Sequence, residues 1–247
     1  MQNQSGGQIQ RPQPHMYPLG DSGIVLHFSD VFDAPTQQAI RACCACLDQL
    51  NVPGLLEYVP AYTTLTIYYN PWLISQEGRC DPYERMTEIM EQMLAQAQTP
   101  AAESAPTVVE IPVCYGGQFG PDLEEVARNA GLSAADVIRL HGHGEYVVAM
   151  VGFAPGFPYL AGLNEQLAAP RKAQPRPRVP AGSVGIAGRQ TGIYSISSPG
   201  GWQLIGRTPR RIFRPEHTIP SLLRAGDQVR FVSVSAAEFE QQNEHES

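Results

Sequence analysis

Between residues 152 and 206 glycine and proline recur so often that no long regular element fits, and this limits what the second half of the chain can become. The stretch reads GFAPGFPYLAGL, then PRKAQPRPRVPAGSVGIAGRQTGIY, then SPGGWQLIG. Glycine reaches backbone angles that a Cβ forbids, and proline holds extended segments rigid without internal hydrogen bonds. A preorganised surface, built largely of loops, is the expected product. Residues 171–215 also carry Arg171, Lys172, Arg176, Arg178, Arg189, Arg207, Arg210, Arg211 and Arg214 without one Asp or Glu. The whole chain has a net charge of -7, so the sign is locally reversed.

At 247 residues, 43% of them hydrophobic, the chain is long enough for one large domain or two small ones with real cores. No apolar run approaches the roughly 20 residues that span a bilayer, and the N-terminal MQNQSGGQIQRPQPHM lacks the apolar centre of a secretion signal. A cytoplasmic protein with no membrane partner is expected. Cys43, Cys44, Cys46, Cys80 and Cys114 are odd in number and form no spaced set with histidines, so reduced thiols are expected rather than a zinc site.

Residues 1–15 are polar and rich in Gln, Gly and Pro, the composition of a disordered tail. Residues 16–98 are expected to form a small α/β domain. IVLHF, LLEYV and TLTIYY have strand composition, while Ile40, Cys43, Cys44, Leu47 and Leu50 recur at helical spacing behind Asp33 and Pro35. Met86, Ile89, Met90, Met93 and Leu94 do the same behind Asp81 and Pro82. The cysteines of CCAC lie in mid-helix on the apolar face and read as core. Residues 99–106 have the Ala/Pro/Ser composition of a linker. From 107 to 235, short helices over 121–130 and in AADVIRLH precede EYVVAMV, SVGIA, GIYSI, GWQLIG, RIF and QVRFVSV. Short strands between Gly/Pro turns predict a mainly β barrel or sandwich. The acidic tail over 236–247 is expected to fray.

The basic stretch suits a pocket for a carboxylate or phosphate, or a face that docks an acidic partner, because the planar guanidinium bonds either oxyanion in pairs. The expected form is a cationic hollow that another polypeptide completes; the plainer alternative is solvated surface charge. Nucleic acid is not expected as a partner of an acidic chain with few aromatics between these charges. No G-x-x-x-x-G-K-[ST] occurs, and Gly182, Gly185 and Gly188 stand three apart, so a self-contained nucleotide site is not expected. AGSVG lacks the first glycine of a hydrolase nucleophile elbow, and Ser183 reads better as a turn serine. His141, His143 and Glu145 fall at a helix-to-strand junction, where imidazole and carboxylate can act as general acid and base or simply as structural hydrogen-bonding groups. Three ligand types without a fourth do not predict a metal.

GFAPGFPYL, PRVPAGSVGIAG, QTGIY and SPGGWQLIGRTP, together with YPLGDSG, EIPVCYGGQFGPDLEEVA and LLRAGDQVRF, closely resemble one family over nearly all of the ordered chain. It is the B-subunit family of bacterial ATP-dependent 5-oxoprolinases, also called allophanate hydrolase subunit 1, which includes Kip-type inhibitors of a sporulation histidine kinase. The resemblance implies an α+β protein, with a small α/β N-terminal domain followed by a cyclophilin-like β-barrel domain. It implies a hetero-oligomer in which the C and A subunits of oxoprolinase join this chain to open the lactam of 5-oxoproline to glutamate while hydrolysing ATP, the chain being inactive alone. Carried over by the motif L-H-x-x-x-E-Y, His141 and Glu145 are the implied catalytic positions. The implied substrate- or partner-binding surface comprises Phe153, Pro155, Gly156, Phe157, Pro158, Arg178, Pro180, Gly182, Ser183, Gln190, Thr191, Tyr194, Pro199, Gly200, Gly201 and Trp202. ATP belongs to the complex, and no metal is implied. Two other readings stay open within the same resemblance: an inhibitor of a sensor histidine kinase, or a component of an allophanate- or urea-type amidohydrolase or carboxyltransferase.

Overall fold

In a computed structural model the described residues are 13–97 and 108–246, and they fall into two compact units, one in each segment. The expected linker over 99–106 and the tail up to residue 12 lie outside the described residues. His15, placed in that tail by composition, already belongs to a strand.

The first unit contains strands His15–Pro18 (β1), Gly23–His27 (β2), Leu55–Pro60 (β3) and Thr64–Tyr69 (β4) and helices Ala34–Gln49 (α1), Pro71–Ile74 (α2) and Pro82–Ala97 (α3). The sheet order is β1-β2-β4-β3, antiparallel throughout. Asp33 caps α1 by accepting from the Thr36 N–H at 2.9 Å, and Asp81 accepts from the Glu84 N–H at 2.9 Å at the start of α3. Ile24, Leu26, Leu65 and Ile67 alternate onto one sheet face and pack with Ile40, Cys43 and Leu47 of α1 and Met86, Met90 and Met93 of α3. Cys43 is therefore core, burial pushes the Cys44 thiol up to about 12, and none of the five cysteines is in a disulfide.

The second unit has helices Leu123–Ala130 (α4) and Ala134–Gly142 (α5) and strands Val108–Tyr115 (β5), Tyr146–Val151 (β6), Pro158–Ala161 (β7), Arg176–Val179 (β8), Ser183–Ala187 (β9), Gln190–Ile193 (β10), Ser198–Gly200 (β11), Gln203–Arg207 (β12) and Gln228–Ser233 (β13). A closed barrel runs β10-β7-β6-β13-β5-β12-β9, with β9 pairing back to β10, while β8 and β11 form a separate two-stranded ribbon. Within the barrel β13 and β5 run parallel. Closure leaves the barrel strands no free edge and surrounds one core that includes Ile111, Val148, Leu160, Ile186, Ile205 and Phe231. The fold is α+β, with the barrel that the Gly/Pro-spaced strands predict.

Some segments depart from expectation. PYLA, read with the loop before it, is the barrel strand β7. RIF is not a strand: Phe213 makes one isolated bridge to Ser221, in a region where Pro209, Pro215 and Pro220 remove ladder donors. The acidic tail does not fray at its start but forms the helix Ala236–Glu246 (α6). Phe239 anchors it, buried beside Cys114 with its ring 4.4 Å from that of Phe119. A single aromatic in a polar segment holds the helix down, which composition alone does not reveal. Among the described residues no helix is long and apolar enough to cross a membrane.

Candidate functional site

His141 closes α5 and is fully buried, stacked on Phe231 at 4.5 Å between ring centroids. Thr191 Oγ1 donates to the Gly185 carbonyl at 3.0 Å, so toward His141 it must accept, and Nε2–H of the imidazole donates to it at 3.0 Å. Nδ1 is then the lone-pair nitrogen, which accepts from the Tyr115 hydroxyl at 2.8 Å. Burial holds the imidazole pKa down to about 3, so the ring is neutral. Glu145 is exposed, and so is His143, whose Nδ1 meets the Arg139 carbonyl at 2.7 Å. The structure does not bring His141 and Glu145 together: both imidazole nitrogens are hydrogen-bonded inside the barrel, whereas Glu145 is exposed.

The loop that joins β6 to β7 presents the opposite picture. The Ala154 N–H donates to the Gly152 carbonyl at 2.8 Å, a three-residue turn with Phe153 at its apex and φ 69. This positive-φ form of the γ-turn is rare and strained for a residue with a side chain. A second turn follows: the Phe157 N–H donates to the Ala154 carbonyl at 3.0 Å, with Pro155 then Gly156 at φ 74 as its central residues, the geometry of a type II turn. Ser195 Oγ pins the loop from outside by donating to the Pro155 carbonyl at 2.6 Å. The tightly braced loop lifts the Phe153 ring into solvent, 66% exposed.

Beneath it lies an aromatic cluster. The buried Phe157 ring sits 5.5 Å from Phe153, 4.8 Å from Tyr159, 5.3 Å from Tyr194 and 5.4 Å from Trp202, mostly edge to face. A Cβ on Gly200 would lie 2.1 Å from the Tyr194 hydroxyl, so only glycine lets β11 approach that ring. Of the sixteen surface positions implied by the motifs, Phe153, Pro155, Arg178, Pro180 and Pro199 are exposed, and Gln190, Gly200 and Gly201 are half-buried. Gly156, Phe157, Pro158, Gly182, Ser183, Thr191, Tyr194 and Trp202 are buried.

The cationic hollow is corrected in a similar way, because most of its charges are claimed by partners from outside the stretch. Asp122, 3% exposed, accepts from Arg176 Nη2 at 2.7 Å, from Lys172 Nζ at 2.9 Å and from the Leu204 N–H at 2.7 Å. Burial opposes its ionisation, but the bonds from Arg176, Leu204 and Lys172 outweigh that and hold its carboxyl below the usual range. Glu125 adds a second acceptor for Lys172 at 3.2 Å. Arg189 pairs with Glu165 and Arg211 with Glu216, while Arg207 bonds the Ala181 carbonyl and Arg178 the Ser197 hydroxyl. The Arg171 guanidinium has no hydrogen bond or ion pair with the described residues; burial raises the phenols of Tyr159 and Tyr194, and the Arg171 charge offsets part of that rise. Sequence reading named Arg171 only as one of nine cations and did not name Asp122 or Tyr159; Asp122 stands at the N-cap of α4, yet its side chain makes no capping bond.

Chemically the described residues here offer an aromatic wall and a guanidinium, Arg171, without a hydrogen bond or ion pair. Two clefts, of about 210 and 470 Å³, flank α6 and do not reach it. Among the described residues no group of three His, Cys, Asp or Glu side chains could hold a metal ion.

A family model, the carboxyltransferase domain, subdomains C and D, matches residues 14–223. The 5-oxoprolinase B subunit of Bacillus subtilis (strain 168) is 48% identical over 224 residues, 90% of this chain and 93% of that protein. This chain belongs to the 5-oxoprolinase B-subunit family. A solved structure of similar sequence, TTHA0988, aligns at 40% identity with a TM-score of 0.73, covering 87% of this chain and 40% of that one. This chain thus spans less than half of the TTHA0988 chain. Urea amidolyase of K. lactis, at 19% identity and a TM-score of 0.75 over 96% of this chain and 16% of its own, shares the fold. In this member of the 5-oxoprolinase family the loop around Phe153 and the aromatic cluster below it stand on the barrel that these neighbours share.

Proposed function

We propose that this chain is the B subunit of an ATP-dependent 5-oxoprolinase, a cyclic amide hydrolase that opens the 5-oxoproline lactam to L-glutamate, and that it works only with its C and A partner subunits in the cytoplasm. The observation that carries this reading is the 48% identity over nearly the whole of a protein named as the B subunit of 5-oxoprolinase. The site supports the division of labour. His141 and Glu145 do not form an acid–base pair within this chain, and no phosphate-binding glycine fingerprint occurs in it. Such chemistry belongs to the complex, with ATP held by it. Five cysteines without a disulfide suit a reducing compartment. Phe153, a large apolar ring held in solvent by a strained turn, fits a surface that another polypeptide covers, and Pro155, Arg178 and Pro199 are exposed as well.

The test is reconstitution. The three subunits, incubated with 5-oxoproline and ATP, should release glutamate, and omitting this chain should abolish it. Glutamate release at an unchanged rate without this chain would end the proposal.

A further inference from the structure

Ser195 lies just beyond β10, 6% exposed, on backbone that is anchored to the barrel. The Tyr194 N–H donates to the Ser183 carbonyl at 2.9 Å and the Gly182 N–H donates to the Tyr194 carbonyl at 2.7 Å, so the residue directly before Ser195 is fixed to the start of β9. From this post the Ser195 hydroxyl donates to the Pro155 carbonyl, 40 residues earlier in the chain, at 2.6 Å. Its donor is shielded from water, which would otherwise compete for the bond.

The tether grips the middle of a loop in which each turn constrains the next. The Pro155 carbonyl and the Gly156 N–H belong to one rigid peptide plane, the centre of the second turn. Ala154 accepts in that turn and donates in the first, whose apex is Phe153 at φ 69. Phe213 closes another side of the loop, since a Cβ on Gly156 would lie 2.9 Å from its ring. The Phe153 ring itself meets the buried Phe157 edge to face at 5.5 Å and is otherwise 66% exposed. A strained backbone persists only where its surroundings over-determine it, and an exposed ring gives the isolated chain little return for that strain. The bracing therefore points to a contact outside this chain.

We propose that Ser195 is a positioning residue for assembly: its bond to the Pro155 carbonyl keeps the Phe153 turn in the form that a partner subunit binds, in an apolar pocket sized for one benzyl ring. This deepens the oxoprolinase reading and rests on it for the partner. The bond spares the complex the cost of ordering the turn, so its loss lowers the fraction of chains ready to bind while the contacting ring remains.

The experiment titrates the C subunit, the A subunit and both together with wild type, Ser195→Ala, Phe153→Gly and the double variant, reading affinity and association rate. Ser195→Ala should weaken the tightest of these associations about 5- to 20-fold, chiefly through slower association, and Ser195→Cys, whose thiol donates weakly, should fall between. In the Phe153→Gly background the same change should alter affinity less than about twofold, because the ring that the tether positions is gone. Equal weakening in both backgrounds, or none with Phe153 present, overturns the proposal. Ser195→Cys carries the same comparison if Ser195→Ala does not fold. If wild type binds neither subunit, the oxoprolinase reading fails on its own, and amide exchange of the full chain decides the tether. Faster exchange of the Ala154 and Phe157 N–H groups in Ser195→Ala, with Val148 and Leu160 unchanged, supports it; unchanged exchange in the loop overturns it.

Discussion

His141 Nε2 donates to Thr191 Oγ1 at 3.0 Å across 50 residues of chain, joining the end of α5 to β10 inside the barrel. With the bonds from Tyr115 to His141 and from Thr191 to the Gly185 carbonyl, this makes a one-directional run of hydrogen bonds in which each hydroxyl donates once. The folded chain keeps this imidazole neutral down to about pH 3, whereas its ordinary value is 6.5. Between those values the unfolded chain takes up a proton that the folded chain refuses. Stability is therefore full above about pH 6.5 and falls as the pH drops, by up to about 1.4 kcal/mol per unit from this group. Asp122 adds its own acid sensitivity only at lower pH, below the usual carboxylate value of 3.8. Urea unfolding of wild type and His141→Gln at pH 7 and pH 5 isolates the imidazole: the variant should be less stable at pH 7 but lose less on acidification. Equal losses in both proteins would mean that His141 is protonated in the fold.

Asp122→Asn should destabilise the second unit by about 2 to 4 kcal/mol, because Arg176 then remains half-buried without an opposing charge and Lys172 keeps only Glu125. The effect should shrink when Lys172→Met is added, since the two residues share one network. Thermal unfolding of the single and double variants measures the coupling, and strictly additive losses would argue against a shared network.

Phe153→Gly separates strain from recognition. Glycine accepts φ 69 without a Cβ penalty, so the isolated chain should keep its melting temperature or gain about 1 kcal/mol. Binding to the partner subunits should weaken at least tenfold if the exposed ring is an anchor. Size-exclusion chromatography of mixtures and calorimetry read the two effects apart; intact assembly with Phe153→Gly would remove the ring from the interface.

Phe239→Ala should free α6 from the barrel at a cost of about 2 to 4 kcal/mol, because the ring is buried against Phe119 and Cys114. Limited proteolysis near residue 236 should speed up sharply in this variant. Unchanged protection would show that other contacts of α6 suffice.

Much of the fold was legible because local rules act on neighbours in sequence. Asp33 and Ser133 cap the helices they precede, accepting from Thr36 and Asp136 N–H groups, and the methionines of α3 face the sheet at helical spacing. The loop around Phe153 was visible as a Gly/Pro-rich aromatic segment, although the γ-turn at its apex was not. The tail helix was missed because its anchoring contact, Phe239 on Phe119, spans most of the second unit.

By itself the amino-acid sequence determined the two-part organisation into a helix-covered sheet and a β barrel, and the surplus of positive charge over 171–215, since each follows from periodicity or composition. Only the tertiary structure decided which charges stay uncommitted and which histidine can act. Asp122 neutralises Lys172 and Arg176 from 50 and 54 residues away, and Thr191 and Tyr115 close both nitrogens of His141 from strands that chain order does not place beside it. Charge and proton availability depend on distances of a few ångströms through space, and the number of residues between two groups does not set them.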